Sequence, residues 1–295
     1  MARMHNPAGL SPIVAGAWRL SEWGWTPQQR LAWIEGNLDI GVTSFDHADI
    51  YGGYAVGALF GEALALAPGL RRRLQLISKC GIRLVHPNRP GHRVKSYDTS
   101  AAHITASVEQ SLRALRTDHL DLLLIHRPDP LLQPAEVAEA VTRLQAAGKL
   151  GGFGVSNFTP TQFALLQQAL PLATNQIELH PLHLAPLHDG TLDQLLGLGL
   201  RPMIWSPLAG GRLFTGEDAA AQRVRAVLQD VAQRLGSTPA TVAYAWLLRH
   251  PSRPLPIVGS RRLEALDEAL AAQQLVLDAE TWHEIWSAGA GCEVP

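Results

Sequence analysis

The sequence predicts a single-domain α/β protein folded as a (β/α)8 barrel of the TIM type. Eight short apolar runs recur along the chain and alternate with helical patterns. The runs are β-branched or leucine-rich without strict alternation, as in parallel strands buried on both faces. A length of 295 residues suits one such barrel. An open doubly wound sheet is the runner-up, disfavoured because no run leads into a GxGxxG turn.

Each element follows in order. The first run is 12–17 (PIVAGA). Thr26-Pro27 then reads as an N-cap with proline at the first helical position, opening a helix with Leu31, Ile34 and Leu38 on one face and Gly41 at its end. The second run, 42–46 (VTSFD), stops at Asp46, and the third, 74–79 (LQLISK), at Lys79. Residues 80–99 form a long connection holding Gly81, Pro87, Pro90 and Gly91. A helix over 100–116 carries Ile104, Val108, Leu112 and Leu115 at helical spacing. The fourth run, 121–126 (DLLLIH), ends at His126, and a helix over 134–147 buries Val137, Val141 and Leu144 before Gly148.

The fifth run is 152–156 (GFGVS), with Thr159-Pro160 capping the helix after it. Runs six and seven are 174–178 (TNQIE) and 202–205 (PMIW). Residues 206–250 hold a glycine-rich loop and then helices over about 217–235 and 238–249, the second opened by Thr238-Pro239. The last run is 254–258 (PLPIV), and the tail from Asp278 reads as a helix with Trp282, Ile285 and Trp286 on one side. The long connections 80–99 and 206–250 both follow strand C-termini, which places them over the mouth of a barrel.

Composition narrows the function. The chain is 46% hydrophobic with a formal net charge of −1, so nothing points to nucleic acid or an anionic membrane as partner. No apolar stretch reaches transmembrane length, and the N-terminus lacks the apolar run of a signal peptide. Cys80 and Cys292 alone fit a reduced, cytoplasmic setting without a disulfide framework.

In a barrel, the strand C-termini converge on one mouth. In order they bring Trp18, Asp46 with nearby Tyr51, Lys79, His126, Ser156-Asn157, Gln176, Trp205-Ser206 and Gly259-Ser260-Arg261-Arg262. Each has a structural reading: Asp46 as a helix cap, Tyr51 as core wall, Lys79 reaching to solvent, His126 as a loop histidine. Together they suit carbonyl reduction. Hydride reaching a carbonyl carbon leaves an alkoxide that needs a proton donor. A tyrosine, with a pKa of about 10, is a poor acid unless a lysine ammonium favours its phenolate. Tyr51 is then the acid, Lys79 its tuner, Asp46 the partner of the lysine and His126 the group that orients the carbonyl.

With those residues placed, the chain resembles the aldo-keto reductases over nearly its whole length. GVTSFDHADIYGG is similar to the family's Asp- and Tyr-bearing signature, LQLISKCG to its lysine strand and DLLLIHRPDP to its histidine strand. GFGVSNF and NQIELHP resemble the segments that hold a nicotinamide, WSPLAGGRLF the segment against nicotinamide and pyrophosphate, and PIVGSRRLEAL the adenosine-phosphate segment. The resemblance implies NADPH (NADP+) bound without a Rossmann fold. It implies Ser156, Asn157 and Gln176 on the carboxamide, Trp205 stacked on the nicotinamide, and Ser206, Leu208 and Gly210 on the pyrophosphate. Ser260, Arg261 and Arg262 fall at the 2′-phosphate, a role guanidinium groups suit, with Gly259 a further cofactor-binding position just ahead of them. His47 departs from the signature, and Ala265 and Ala269 stand where many members carry an arginine and an asparagine.

Two other readings are kept. A metal-dependent barrel hydrolase would use His180, His183 and His188, without a carboxylate or His-x-His on the first strands to complete a site. A nicotinamide-binding sensor or regulatory subunit would keep the fold and turn over little. Trp18, Trp23 and Trp25 either line an apolar substrate pocket or pack under the rim. The expected partner is a small carbonyl compound, with no metal.

Overall fold

The computed structural model describes residues 4–294. Its sheet is a closed barrel of eight strands in chain order, the last beside the first. These are β1 (Val14–Gly16), β2 (Ser44–Asp46), β3 (Gln75–Cys80), β4 (Leu120–Ile125), β5 (Leu150–Ser156), β6 (Asn175–Glu178), β7 (Met203–Trp205) and β8 (Leu255–Val258). Every predicted run coincides with one of them, so the sheet is the parallel barrel that the alternation predicts.

Contacts along the chain gather into two compact units. One comprises Asn6–Asn175 with Gly259–Leu263. It carries helices α1 (Pro27–Asp39), α2 (Val56–Leu64), α3 (Ala101–Leu115), α4 (Pro134–Ala146) and α5 (Pro160–Gln167). Thr26 and Thr159 each close a capping box with the glutamine three residues on, which explains why both helices start where they do. Under the strands, Arg71 donates to Thr117 Oγ1, the Leu74 and His119 carbonyls and Asp121, which also accepts from the Leu76 amide; this ties the start of β3 to the start of β4.

The other unit comprises Gln176–Val258 with the chain from Glu264. Its helices are α6 (Thr191–Gly197), α7 (Ala219–Arg234), α8 (Pro239–Leu248), α9 (Glu264–Ala271) and α10 (Ala279–Ala290). Trp246 of α8 and Trp282 of α10 stack with ring centroids 5.2 Å apart. Each indole N–H donates to the other residue's carbonyl, at 3.1 and 2.9 Å, so both donors are satisfied.

The 80–99 connection is more ordered than a plain loop. Ile82–Arg83 and Ser96–Tyr97 pair antiparallel, Ile82 opposite Tyr97. Ladders of two residues are too short to announce themselves by periodicity.

Candidate active site

Register brings three predicted residues to one face of the sheet. Asp46 pairs with Ile77 across β2 and β3, and Ile77 with Leu122 across β3 and β4. Side chains two apart on a strand share a face, so Asp46, Lys79 and Leu124 point the same way. His126 continues the series, its amide bonded to the Cys80 carbonyl at 2.9 Å. Ser78, between Ile77 and Lys79, sits 3.5 Å from Ser111 of α3, which marks the opposite face as the outer one. The three groups therefore face the barrel interior.

Lys79 is 1% exposed, and a buried ammonium is tolerated only when its donors are all taken. It donates to Asp46 Oδ2 at 2.6 Å, to the His47 carbonyl at 2.9 Å and to the Tyr51 hydroxyl at 2.9 Å. Burial works against its charge, but Asp46 and Tyr51 more than offset it and hold Lys79 above its ordinary value. The Tyr51 and His126 rings meet edge to face, 5.9 Å between centroids.

The Tyr51 phenol departs from the expectation of a lowered pKa. Burial pushes it up to about 12, against the opposing pull of Lys79. Desolvation of a phenolate outweighs one nearby ammonium whose charge is shared with Asp46. Burial, with Lys79, Arg127 and Lys95 nearby, drives His126 well below the usual imidazole range, so its ring is neutral. Its Nδ1 is buried with no hydrogen-bond partner among the described residues.

Three residues around this centre carry structure that their spacing did not reveal. His47 is 1% exposed, its ring edge-on to Phe60 at 4.5 Å, and burial followed by Lys79 lowers its pKa to about 3. Asp49 has a buried Oδ1 without a hydrogen-bond partner, and burial raises its pKa to about 7. Tyr54 has left-handed backbone, φ 73°, which costs a non-glycine residue about 1–2 kcal/mol. The Gly-Gly-Tyr sequence after Tyr51 was the available signal for that turn.

In the first unit, Ser156 is buried at the end of β5, and Asn157 has φ 60° with its Nδ2 donating to Ser156 Oγ at 2.8 Å and the His126 carbonyl at 3.5 Å. Gly259, Arg261 and Arg262 are exposed. Their segment is fastened to α1: Trp33 Nε1 donates to the Ser260 carbonyl at 3.3 Å, and a Cβ on Gly36 would lie 2.5 Å from Leu263 Cδ1. Ser260 Oγ accepts from the Arg262 amide at 3.1 Å. In the second unit, Gln176 is buried beside Met203, its Nε2 3.9 Å from Sδ. Trp205 ends β7, and Ser206, Ala209 and Gly210 all have left-handed backbone, so the chain turns sharply around Leu208. Ala265 and Ala269 are buried in α9 and present no polar group.

Trp18 is 54% exposed with the Arg19 guanidinium 5.3 Å from its ring. Trp23 and Trp25 instead pack on each other at 4.7 Å, and Trp23 on Trp33 at 5.3 Å, so they belong to an aromatic row that continues through Phe45 and Phe60. Of the three histidines of the hydrolase reading, His180 faces Glu178 at 3.1 Å with the His183 ring centred 5.9 Å from its own, and His188 lies against Trp286 at 5.4 Å. No group of three or more His, Cys, Asp or Glu among the described residues is placed to hold a metal. No helix among them is long and apolar enough to cross a membrane.

The sequence model of the Aldo/keto reductase family matches residues 12–290. The oxidoreductase YdhF of Escherichia coli (strain K12) is 52% identical over 291 residues, covering 97% of this chain and 96% of that protein. A 6-dehydroglucose reductase of Agrobacterium fabrum is 45% identical over 288 residues, with 97% and 96% covered. Among solved structures, the thermostable aldo-keto reductase Tm1743 superposes with a TM-score of 0.77 at 25% identity, covering 95% of this chain and 96% of that one. That family uses nicotinamide cofactors and acts on small carbonyl compounds. With its closed barrel and a match from residue 12 to residue 290, this chain is an oxidoreductase belonging to the aldo-keto reductase family.

Proposed function

We propose that the chain is an NADPH-dependent carbonyl reductase that converts an aldehyde or ketone to an alcohol, with Tyr51 as general acid. The observation that carries this reading is the Lys79 ammonium, fully buried, with its three donors on Asp46, the His47 carbonyl and Tyr51. Because the phenol oxygen accepts from Lys79, its own O–H is not spent on that contact and can be given to a substrate oxygen. As the proton leaves, Lys79 stabilises the phenolate, and Asp46 keeps the lysine charged and aimed. His126, neutral, offers an N–H to the carbonyl oxygen rather than a proton.

The cofactor, when bound, supplies the hydride. The residues present fit it. Arg261 and Arg262 are exposed guanidinium groups just ahead of α9, the donor chemistry a 2′-phosphate needs. Ser156, Asn157 and Gln176 are the proposed carboxamide partners, Trp205 the stacking face, and Ser206, Leu208 and Gly210 the pyrophosphate turn. Gly259 and Ser260 complete the phosphate segment, and Trp18 lines the substrate pocket. Residues 1–295 act as one barrel domain working in the cytoplasm on a small carbonyl substrate.

The test is deuteride transfer. The protein is incubated with NADPH deuterated at carbon 4 of the nicotinamide and a panel of aromatic aldehydes plus 6-dehydroglucose, the compound in the name of the Agrobacterium relative. Deuterium on the carbinol carbon, and faster transfer from NADPH than from NADH, supports the reading. Tight NADPH binding with no transfer to any of them would replace it with the sensor reading.

A further inference from the structure

Tyr51 opens a turn whose backbone is costly for any residue but glycine. Gly52, Gly53 and Tyr54 follow it with φ 56°, 62° and 73°, all left-handed. Glycine takes that conformation freely; Tyr54 must be held in it. The holding contacts come from residues 84–92. The Tyr54 hydroxyl accepts from the Leu84 amide at 2.8 Å, and the Arg89 guanidinium lies 4.3 Å from the centre of its ring. Asn88 Nδ2 donates to the Gly53 carbonyl at 2.8 Å. The His86 ring fills the space where Gly53 lacks a side chain: a Cβ there would lie 2.3 Å from Nε2.

The loop that makes these contacts is itself anchored. It leaves β3 just past Lys79, its ends are joined by the Ile82–Arg83 and Ser96–Tyr97 ladder, and His92 Nδ1 lies 2.8 Å from the Leu84 carbonyl. One segment thus grips Gly53 and Tyr54 of the Tyr51 turn while continuing the strand that presents Lys79. We propose that residues 84–92 form a clamp in which Asn88 and Arg89 are positioning residues: they hold the Tyr51 hydroxyl at its distance from the Lys79 ammonium. The proposal rests on the reading of Tyr51 as general acid. Left-handed backbone at a non-glycine residue persists only where surrounding contacts over-determine it, and such strain gathers where geometry matters to function. If Asn88 and Arg89 let go, Tyr54 relaxes and Tyr51 moves with it; a misplacement of about 1 Å is enough to cost on the order of a hundredfold in rate.

The test combines a positional and a kinetic readout in the full chain. Labelling with 13Cζ-tyrosine gives few signals, because the chain has 4 tyrosines, and Tyr51→Phe identifies the one that matters. In the Asn88→Ala/Arg89→Ala double variant, the Tyr51 resonance is expected to shift or broaden. The kcat for an aromatic aldehyde is expected to fall about tenfold or more, with the aldehyde KM and the NADPH Kd within about twofold. The primary isotope effect on kcat with deuterated NADPH should rise as chemistry becomes slower. Arg89→Lys, which keeps a cation over the Tyr54 ring, should lose less than Arg89→Ala. A Tyr51 resonance that stays in place overturns the clamp, as does one that moves while kcat is unchanged. A resonance that moves in a chain whose native form turns over no aldehyde supports the clamp and removes the reductase reading instead.

Discussion

The Lys79 ammonium donates to the Tyr51 hydroxyl across 2.9 Å, and it does so from a position where Asp46 Oδ2 is closer still, at 2.6 Å. The positive charge therefore sits where a phenolate would form and is held there by a carboxylate. In the resting protein the phenol keeps its proton, because burial pushes its pKa up to about 12. What Lys79 provides is the difference between that value and a higher one. Replacing it, as in Lys79→Met, is expected to lower kcat at least about a hundredfold, the usual scale for losing effective acid catalysis. NADPH affinity, read by fluorescence titration, should be nearly unchanged. A variant that retains its kcat would show that the ammonium does not tune the acid.

Asp49 makes a prediction about the pH dependence of stability. Its carboxyl titrates near 3.8 when unperturbed and about 7 in the folded protein, raised by burial. Between those values the folded state binds more protons than the unfolded state, so this residue's contribution to stability falls as pH rises through that window. Asparagine mimics the protonated carboxyl at every pH. The Tm of Asp49→Asn should therefore gain on that of the native chain as pH rises from about 4 to about 7, then keep a constant lead, by about 2 °C for each kcal/mol in a chain of this size. His47, with its pKa lowered from 6.5 to about 3 by burial and then Lys79, has the opposite slope over an overlapping range, since there the unfolded state binds more protons. That term is common to both proteins and cancels in the difference. A lead that does not change with pH would contradict the raised carboxyl.

Trp33 belongs to α1, yet its indole holds the Ser260 carbonyl in the segment proposed to read the 2′-phosphate. Leu263 packs over Gly36 of the same helix. Trp33→Phe keeps most of the ring and removes the donor, a loss of about 0.5–1.5 kcal/mol for one hydrogen bond. The KM for NADPH should rise by about twofold to tenfold, that for NADH less, with kcat at saturating cofactor unchanged. Steady-state kinetics with both cofactors checks this. Equal rises for the two would place the effect outside phosphate recognition.

Much of this arrangement was legible in the chain because a parallel barrel puts its chemistry at strand ends. Asp46, Lys79 and His126 each close an apolar run, and the register then delivers them to one face. The threonine-proline pairs marked three helix starts for the same local reason, a side-chain cap followed by a preset φ. What could not be read depends on depth and on contacts far apart in sequence. Convergence of strand ends in a barrel predicts that Lys79 comes near Tyr51, but the direction of the phenol's shift is decided by how dry the site is. Whether Trp23 and Trp25 line a pocket or pack under the rim is open in the sequence, and is decided only by Trp33 against Trp23 and Trp23 against Trp25. The two-residue ladder inside 80–99, and the contacts of Leu84 and Arg89 with Tyr54, have no periodic signature at all.

Tyr51→Phe removes one oxygen and leaves the ring beside His126, so it separates acid catalysis from packing. The decisive measurement is NADPH oxidation by an activated aromatic aldehyde in the native chain and in this variant, with NADPH affinity measured in both. Turnover that falls by at least about a hundredfold while NADPH binds as before is the predicted result. Turnover in the variant at the native rate would contradict Tyr51 as the proton donor and the mechanism built on it.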